Sequence, residues 1–210
     1  MKMRHLFPAG LLLLAGAIHS QAATLVFEEN FDSEGVPFAS ELNFAGLTQW
    51  NLTNGAVDLI AEGGFNISCG GSGKCLDLDG TTSTAGRIET KSLFGLNPGL
   101  YTLRFDISGN QRVPRSDQVT VSLGSLFSET FGKNETDPFE TVVRQIVVGS
   151  FTTARLAFDH HQPSDQFGII LDDISLSLED GAQPVPEPSA FLLLATGAAG
   201  LVGLRRRKAA

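Results

Sequence analysis

The chain has 210 residues, with 15 Lys and Arg against 23 Asp and Glu, 42% hydrophobic residues, 23 Gly and 15 Phe. Only 18% of residues are charged, so the chain can bury a core and is not a disordered acidic tail. An isoelectric point near 4.9 leaves no basic face for sequence-independent contact with phosphates, and no nucleic-acid partner is expected.

Residues 1–22 read as a secretory signal. Lys2 and Arg4 form a basic start, residues 11–18 a short apolar stretch, and Ser20-Gln21-Ala22 places small residues at the two positions a signal peptidase reads. Cleavage is expected after Ala22. From there to about residue 180 no long segment has helical period. Runs of alternating apolar and polar residues, broken by Gly, Asn, Asp and Pro, predict strands at 25–30, 50–52, 56–60, 75–79, 86–90, 100–108, 118–123, 126–131, 139–148 and 154–158. In 100–108, Tyr101, Leu103, Phe105 and Ile107 share one face and Thr102, Arg104 and Asp106 the other. Ile170, Ile174, Leu176 and Leu178 form a closing stripe, with Asp172 on the same parity and hence on the core side. About ten short strands in one unit, 23–180, predict an antiparallel β-sandwich.

Two cysteines stand in Cys69-Gly-Gly-Ser-Gly-Lys-Cys75. In an exported chain an even count favours a disulfide, and the glycines let a small loop close. A zinc site needs about four ligands, and this chain has no further cysteine. The stretch also fails as a phosphate loop, with Ser68 in place of the first Gly and Cys75 in place of Ser or Thr after Lys74.

The loop 109–117 carries Arg112, Arg115 and Asp117, which either hydrogen-bond sugar hydroxyls at a sandwich rim or serve as a polar connection. His160 and His161, adjacent on extended backbone, point apart and are expected in a solvated loop. Trp50 and Tyr101 are assigned to the core, which removes the preferred stacking platforms for sugars. No Gly-x-Ser-x-Gly or His-Glu-x-x-His pattern occurs, and a non-catalytic module is expected over a hydrolase working through two carboxylates.

The C-terminus holds three parts in sequence. A Pro-rich linker, 181–188, ends in Pro186-Glu187-Pro188; an uncharged segment, 189–204, follows; Arg205, Arg206, Arg207 and Lys208 mark the basic tail, 205–210. As a helix, 189–204 spans roughly 24 Å, short of a hydrocarbon core of about 30 Å, and the cations stay on the cytoplasmic side. This arrangement resembles the PEP-CTERM sorting signal of Gram-negative bacteria. The resemblance implies that an exosortase-type membrane protease recognises Pro186-Glu187-Pro188, that the inner membrane holds the chain transiently, and that delivery is to the cell surface or extracellular matrix, alongside exopolysaccharide. Without residues 1–22 and 186–210 the chain keeps 9 Lys and Arg against 22 Asp and Glu, a net charge of −13. Such a surface disfavours anionic partners unless divalent cations bridge them.

A second resemblance covers most of 25–178. Residues 50–60 (WNLTNGAVDLI), 95–103 (GLNPGLYTL) and 170–176 (ILDDISL) look like galactose-binding-like jelly rolls, common among carbohydrate-binding modules. The resemblance implies a jelly-roll topology and a structural calcium ion where first and last strands meet, with Glu28 or Asp32 matching from the first and Asp172 from the last. Alternatively Asp172 only accepts hydrogen bonds from a neighbouring loop. The functional expectation is a surface or matrix protein that binds extracellular polysaccharide, its rivals a structural matrix protein without a ligand site and a small glycan hydrolase.

Overall fold

The computed structural model describes residues 23–82, 84–161 and 164–179. The expected signal segment, linker, membrane helix and basic tail lie outside the described residues. Among the described residues no helix is long and apolar enough to cross a membrane.

Among the described residues thirteen strands follow in order: β1 (Thr24–Glu29), β2 (Trp50–Asn54), β3 (Asp58–Ala61), β4 (Lys74–Asp77), β5 (Arg87–Thr90), β6 (Phe94–Leu96), β7 (Gly99–Ser108), β8 (Ser116–Leu123), β9 (Phe127–Asn134), β10 (Glu140–Val148), β11 (Thr152–Ala154), β12 (Leu156–His160) and β13 (Ile170–Glu179). One six-stranded sheet runs β10-β7-β13-β4-β3, with β1 also on β13; a five-stranded sheet runs β2-β5-β12-β8-β9; β6 and β11 form a small ribbon. All strand pairs are antiparallel, and the two large sheets enclose one main core, so the domain is an all-β jelly-roll sandwich. The ribbon strands β6 and β11 escape the sequence pattern because three residues are too few to show alternation.

The alternation in β7 explains its placement. Tyr101, Leu103, Phe105 and Ile107 are buried, while Arg104 is exposed. Between the sheets the rings form a chain. Phe94 packs on Phe27, Phe27 on Trp50, Trp50 on Phe158, Phe158 on Phe105, and Phe105 on Phe131, with centroids 5.3–5.8 Å apart and mostly edge-to-face. That geometry suits the ring quadrupoles and ties β1 and β7 of one sheet to β2, β12 and β9 of the other. At the side where β9 and β10 face each other, Arg144 makes a two-pronged contact with Glu129 at 2.7 Å on each arm.

The closing strand departs from simple alternation. Register along β7 shifts between Asp172 and Ser175, and Asp173 has φ 46, so β13 carries a bulge there. The extra residue inverts parity: Leu171, Ile174 and Leu176 lie in the main core, while Ile170 belongs to a second cluster on the outer face with Ile60, Ile67, Cys69 and Cys75. Asp172 is therefore buried on the outer face, under that second cluster, and not on the inner face that unbroken alternation from Ile170 through Ile174 predicts.

Replacing Phe158, which touches both Trp50 and Phe105, by Ala is expected to destabilise the domain by about 3–5 kcal/mol in urea unfolding. A loss below about 1 kcal/mol would contradict a core organised on this chain of rings.

Candidate functional site

Two surfaces concentrate polar side chains. The first is the outer face of the five-stranded sheet. Register places Asn51, Glu89, Ala157, Ser122 and Ser128 in one row and Arg87, Asp159, Thr120 and Thr130 in the next. Arg87 lies 3.2 Å from Glu89 and 3.6 Å from Asp159, and Arg155 lies 3.7 Å from Glu89. Arg87 also donates to Thr53 at 2.7 Å. Thr120 Oγ1 lies 2.8 Å from both Thr130 Oγ1 and His161 Nε2. These contacts hold donors and acceptors in a fixed array over the small side chain of Ala157.

The second surface surrounds the bulge of β13. A cavity of about 280 Å³ is lined by Asn30, Asp32, Asp106, Asp172, Asp173 and, on the far wall, Cys69, Gly70, Ser72 and Phe139. Asp106 and Asp172 stand directly opposite in the β7–β13 register. Facing like charges destabilise a strand pair, so this arrangement needs a proton or a cation between them. Asp106 Oδ1 is buried and has no hydrogen-bond partner. Asp172 accepts from the N–H of Asp173 at 2.8 Å. Glu28 faces a different, adjoining hollow of about 200 Å³, which shares Asp106 and Asp173 with the first. Asp32 and Asp172 are thus brought together and Glu28 is set apart from them. Asp106 and Asp173 are residues that sequence reasoning missed; the polar face of 100–108 and the Asp172-Asp173 pair were its only signals.

These residues suit a calcium ion in donor type, since calcium takes six to eight oxygens, including amide and water oxygens, in loose geometry. Among the described residues no three His, Cys, Asp or Glu side chains converge on one point as they stand, so the carboxylates must rotate inward to share an ion.

The side chains of the rim loop are tied to neighbouring loops. Arg112 donates to Asp77 at 2.6 Å and to the carbonyl of Gln166 at 3.2 Å, and its guanidinium stacks 4.4 Å over the Phe167 ring. Arg115 pairs with Asp165, and Asp117 accepts from Asn110 at 3.0 Å. All three predicted ligand residues are occupied in joining loops. Behind them Asp79, fully buried, accepts from Ser164 Oγ and from the N–H groups of Asp165 and Gln166. His160 corrects the expectation of a solvated loop: it ends β12, is buried, and has its Nδ1 3.0 Å from the carbonyl of His161. Burial pushes its pKa down, which disfavours the charged ring. His161 points the other way, onto the sheet face, as alternation requires.

Cys69 and Cys75 are joined by a disulfide. Trp50 and Tyr101 are both buried, and the Tyr101 hydroxyl donates to the carbonyl of Asn97. Among the described residues three phenylalanines are exposed, Phe38, Phe65 and Phe151, the first almost fully.

Residues 184–208 match the PEP-CTERM protein-sorting motif. The chain carries a PEP-CTERM sorting signal. That signal marks it for exosortase-dependent export, in agreement with the basic, apolar start of the sequence. A comparison with curated proteins finds no match for the PEP-CTERM chain. Among solved structures, similarity is found to the K3 cleaved adhesin domain of Lys-gingipain from Porphyromonas gingivalis W83, at 20% identity and a TM-score of 0.45 over 74% of this chain and 99% of that one. It is also found to the CBM22-1 xylan-binding domain of Xyn10C from Paenibacillus barcinonensis, at 14% identity and 0.46 over 78% and 100%. A third is the Stig cyclase Fisc from Fischerella sp. TAU, at 13% identity and 0.49 over 75% and 98%.

Burial, with the charges of Asp173, Asp32 and Asp106 adding to it, pushes the Asp172 carboxyl up to about 8. Burial likewise raises Asp77 to about 7, against the pull of the Asp79 N–H and Arg112. An unfolded chain releases these protons near pH 3.9. Between about pH 4 and pH 8 the folded state therefore binds more protons than the unfolded one, and stability falls as pH rises through that window. In the presence of a chelator the domain is expected to melt lower at pH 8 than at pH 5, and Asp172→Asn should flatten the upper part of that slope. Equal melting temperatures at the two pH values would contradict the assignment.

Proposed function

We propose that the exported chain is a non-catalytic cell-surface or extracellular-matrix module that binds neutral polysaccharide on the open face of its five-stranded sheet. The observation that carries this reading is the array of Asn51, Thr53, Arg87, Glu89, Thr120, Asp159 and His161, all exposed or half-buried on one face of the five-stranded sheet and held by mutual hydrogen bonds and ion pairs. Sugar hydroxyls both donate and accept, and an array held by its own ion pairs loses little side-chain freedom on binding. The net charge of −13 between residues 23 and 185 favours a neutral polymer over an anionic one. Glu89 and Asp159 both lean on Arg87, which suits positioning better than acid–base work. Arg112, Arg115 and Asp117 contribute by keeping the rim loops rigid.

Calorimetric titration of the exported chain with polysaccharide extracted from the producing cells is expected to give saturable heat, weakened at least about tenfold by Arg87→Ala, a loss near 1.4 kcal/mol. Without saturable heat from the unaltered chain, the glycan reading falls.

The same reading includes a structural calcium ion in the acidic cavity of β13, held by Asp172 and Asp32 with Asp106, Asp173 and Asn30 beside them. The ion supplies positive charge that offsets the facing carboxylates and pins the start of the chain to its closing strand. Glu28, in the adjoining hollow, acts on the site only through the shared Asp106 and Asp173. Millimolar calcium is expected to raise the melting temperature by several degrees, and Asp172→Ala to abolish the rise. A melt indifferent to calcium and to chelator would remove the ion from this account.

A further inference from the structure

The two poles of the sandwich differ in charge. Around one, the turns 79–82, 109–115, 135–138 and 164–168 lie together and carry Asp79, Arg112, Arg115, Glu135, Asp137 and Asp165. Around the other lie the connections 47–49, 91–93, 97–98, 124–126 and 149–151 with Arg155. Their grouping follows from register and hydrogen bonds: Gly99 stands opposite Val148, the N–H of Lys91 donates to the Gln49 carbonyl at 2.8 Å, and that of Gly124 to the Arg155 carbonyl at 3.0 Å. These connections contain no acid, and their only charges are Lys91 and Arg155. In a domain with a net charge of −13 such a surface is the exception.

The same pole exposes apolar side chains. Leu93, Val147 and Phe151 each keep more than half of their surface exposed. Val147 stands opposite Leu100 on β7, and the Phe151 ring lies over Gly95, 3.5 Å from where a Cβ would stand. A second exposed group, Val36, Phe38, Leu42 and Phe65, lies on loops beside β3, where the domain neither begins nor ends.

Both ends of the described domain emerge at the acid-free pole. Thr24 stands opposite Leu178, and Glu179 opposite Leu100. Thr102 Oγ1 donates to Glu179 Oε1 at 2.6 Å, which holds β13 in place to its last residue and occupies the one carboxylate there. The uncharged segment of the sorting signal begins at Ser189, so only residues 180–188 separate it from β13. At no more than about 3.6 Å per residue that length reaches roughly 32 Å. The charged pole lies a further strand away, since β7 spans ten residues, or roughly 33 Å at about 3.3 Å each.

We propose that the acid-free pole docks on a phospholipid bilayer while the sorting signal holds the chain there, with Leu93, Val147 and Phe151 entering the headgroup region. The inference rests on the sorting signal and is independent of the glycan and calcium readings. Exposed apolar side chains gain by leaving water at the boundary of headgroups and acyl chains, and no acid of these connections repels lipid phosphates. Three side chains hold a free domain to a bilayer only weakly. A short tether makes the contact intramolecular, at an effective concentration in the millimolar range, and so populates it. Removal of the tail then releases the pole as well as the anchor.

The test uses residues 23–210 reconstituted into vesicles of phosphatidylethanolamine with a minority of phosphatidylglycerol. Cys69 and Cys75 are joined, so a single new thiol accepts a fluorophore: Ser150→Cys beside Phe151, or Thr136→Cys at the charged pole, both at exposed positions. Brominated acyl chains are expected to quench the label at 150 several-fold more than the label at 136. Val147→Thr with Phe151→Ser, both exposed and outside the core, should bring the two close to equal while the chain stays in the vesicle fraction on sedimentation. Equal quenching at 150 and 136 in the unsubstituted chain, or quenching at 150 that the double substitution leaves unchanged, overturns the docking. A chain that fails to insert through 189–204 lacks the tether and overturns it too. Dimeric sedimentation of residues 23–185, abolished by the double substitution and accompanied by no quenching at 150, assigns the face to a second copy instead.

Discussion

The bulge at Asp172 and Asp173 in β13 is the constraint on which both the core and the acidic cavity depend. β13 is held by β7 along one edge and by β4 and then β1 along the other, so a change of parity within it is felt in every neighbour. Before the bulge its residues serve two cores, Leu171 inward and Ile170 outward; after it, Ile174 and Leu176 face inward again. A strand with unbroken alternation would place either Leu171 or Ile174 on the wrong face. The residue that absorbs the mismatch is Asp173, in the left-handed region that Asp tolerates better than most residues.

Electrostatics follow from that backbone. The bulge leaves Asp172 opposite Asp106 with Asp173 adjacent, and the loop after β1 adds Asp32. Folding has concentrated like charges there, and burial first, with the charges of Asp173, Asp32 and Asp106 adding to it, raises the pKa of Asp172. The rim solves its own version of the same problem by other means. Asp77 has Arg112, and Asp79 has the hydroxyl of Ser164 and two backbone N–H groups, so each has hydrogen-bond partners within the protein. The contrast between a rim whose carboxylates are paired within the protein and a cavity whose carboxylates face one another separates framework from candidate site.

The two candidate surfaces lie on opposite sheets and are joined through the rings of the core. Phe105 on β7 carries Asp106 as its neighbour in sequence, and it packs on Phe158 of β12, whose neighbour Asp159 lies on the open face. Alternation thus makes each of these strands contribute one ring to the core and one carboxylate to a surface. A ligand on one surface would act on the other only through this packed layer, by stiffening the sandwich.

Much of this was legible in the order of residues. Period-two alternation in 100–108 and 118–123 identifies strands and their inner faces, because one side must be apolar and the other wet, and such patterning does not need a partner to be visible. The sorting signal is legible for the same reason: Pro186-Glu187-Pro188, the apolar stretch and the arginines are read as local chemistry. Three features were not. The inversion at Asp172 is invisible because a bulge depends on what the neighbouring strands bury; the burial of His160 depends on segments distant in sequence, around Asp79, Gly86 and Asp117; and the meeting of Asp32, Asp106 and Asp172 joins residues from the start, middle and end of the domain. The sequence by itself determined the strand pattern, the acidic balance and the sorting signal, which are properties of neighbours along the chain. Which carboxylates meet, which are paired within the fold and which side of the sheet stays open were decided only by tertiary structure, because each depends on contacts between segments far apart in sequence.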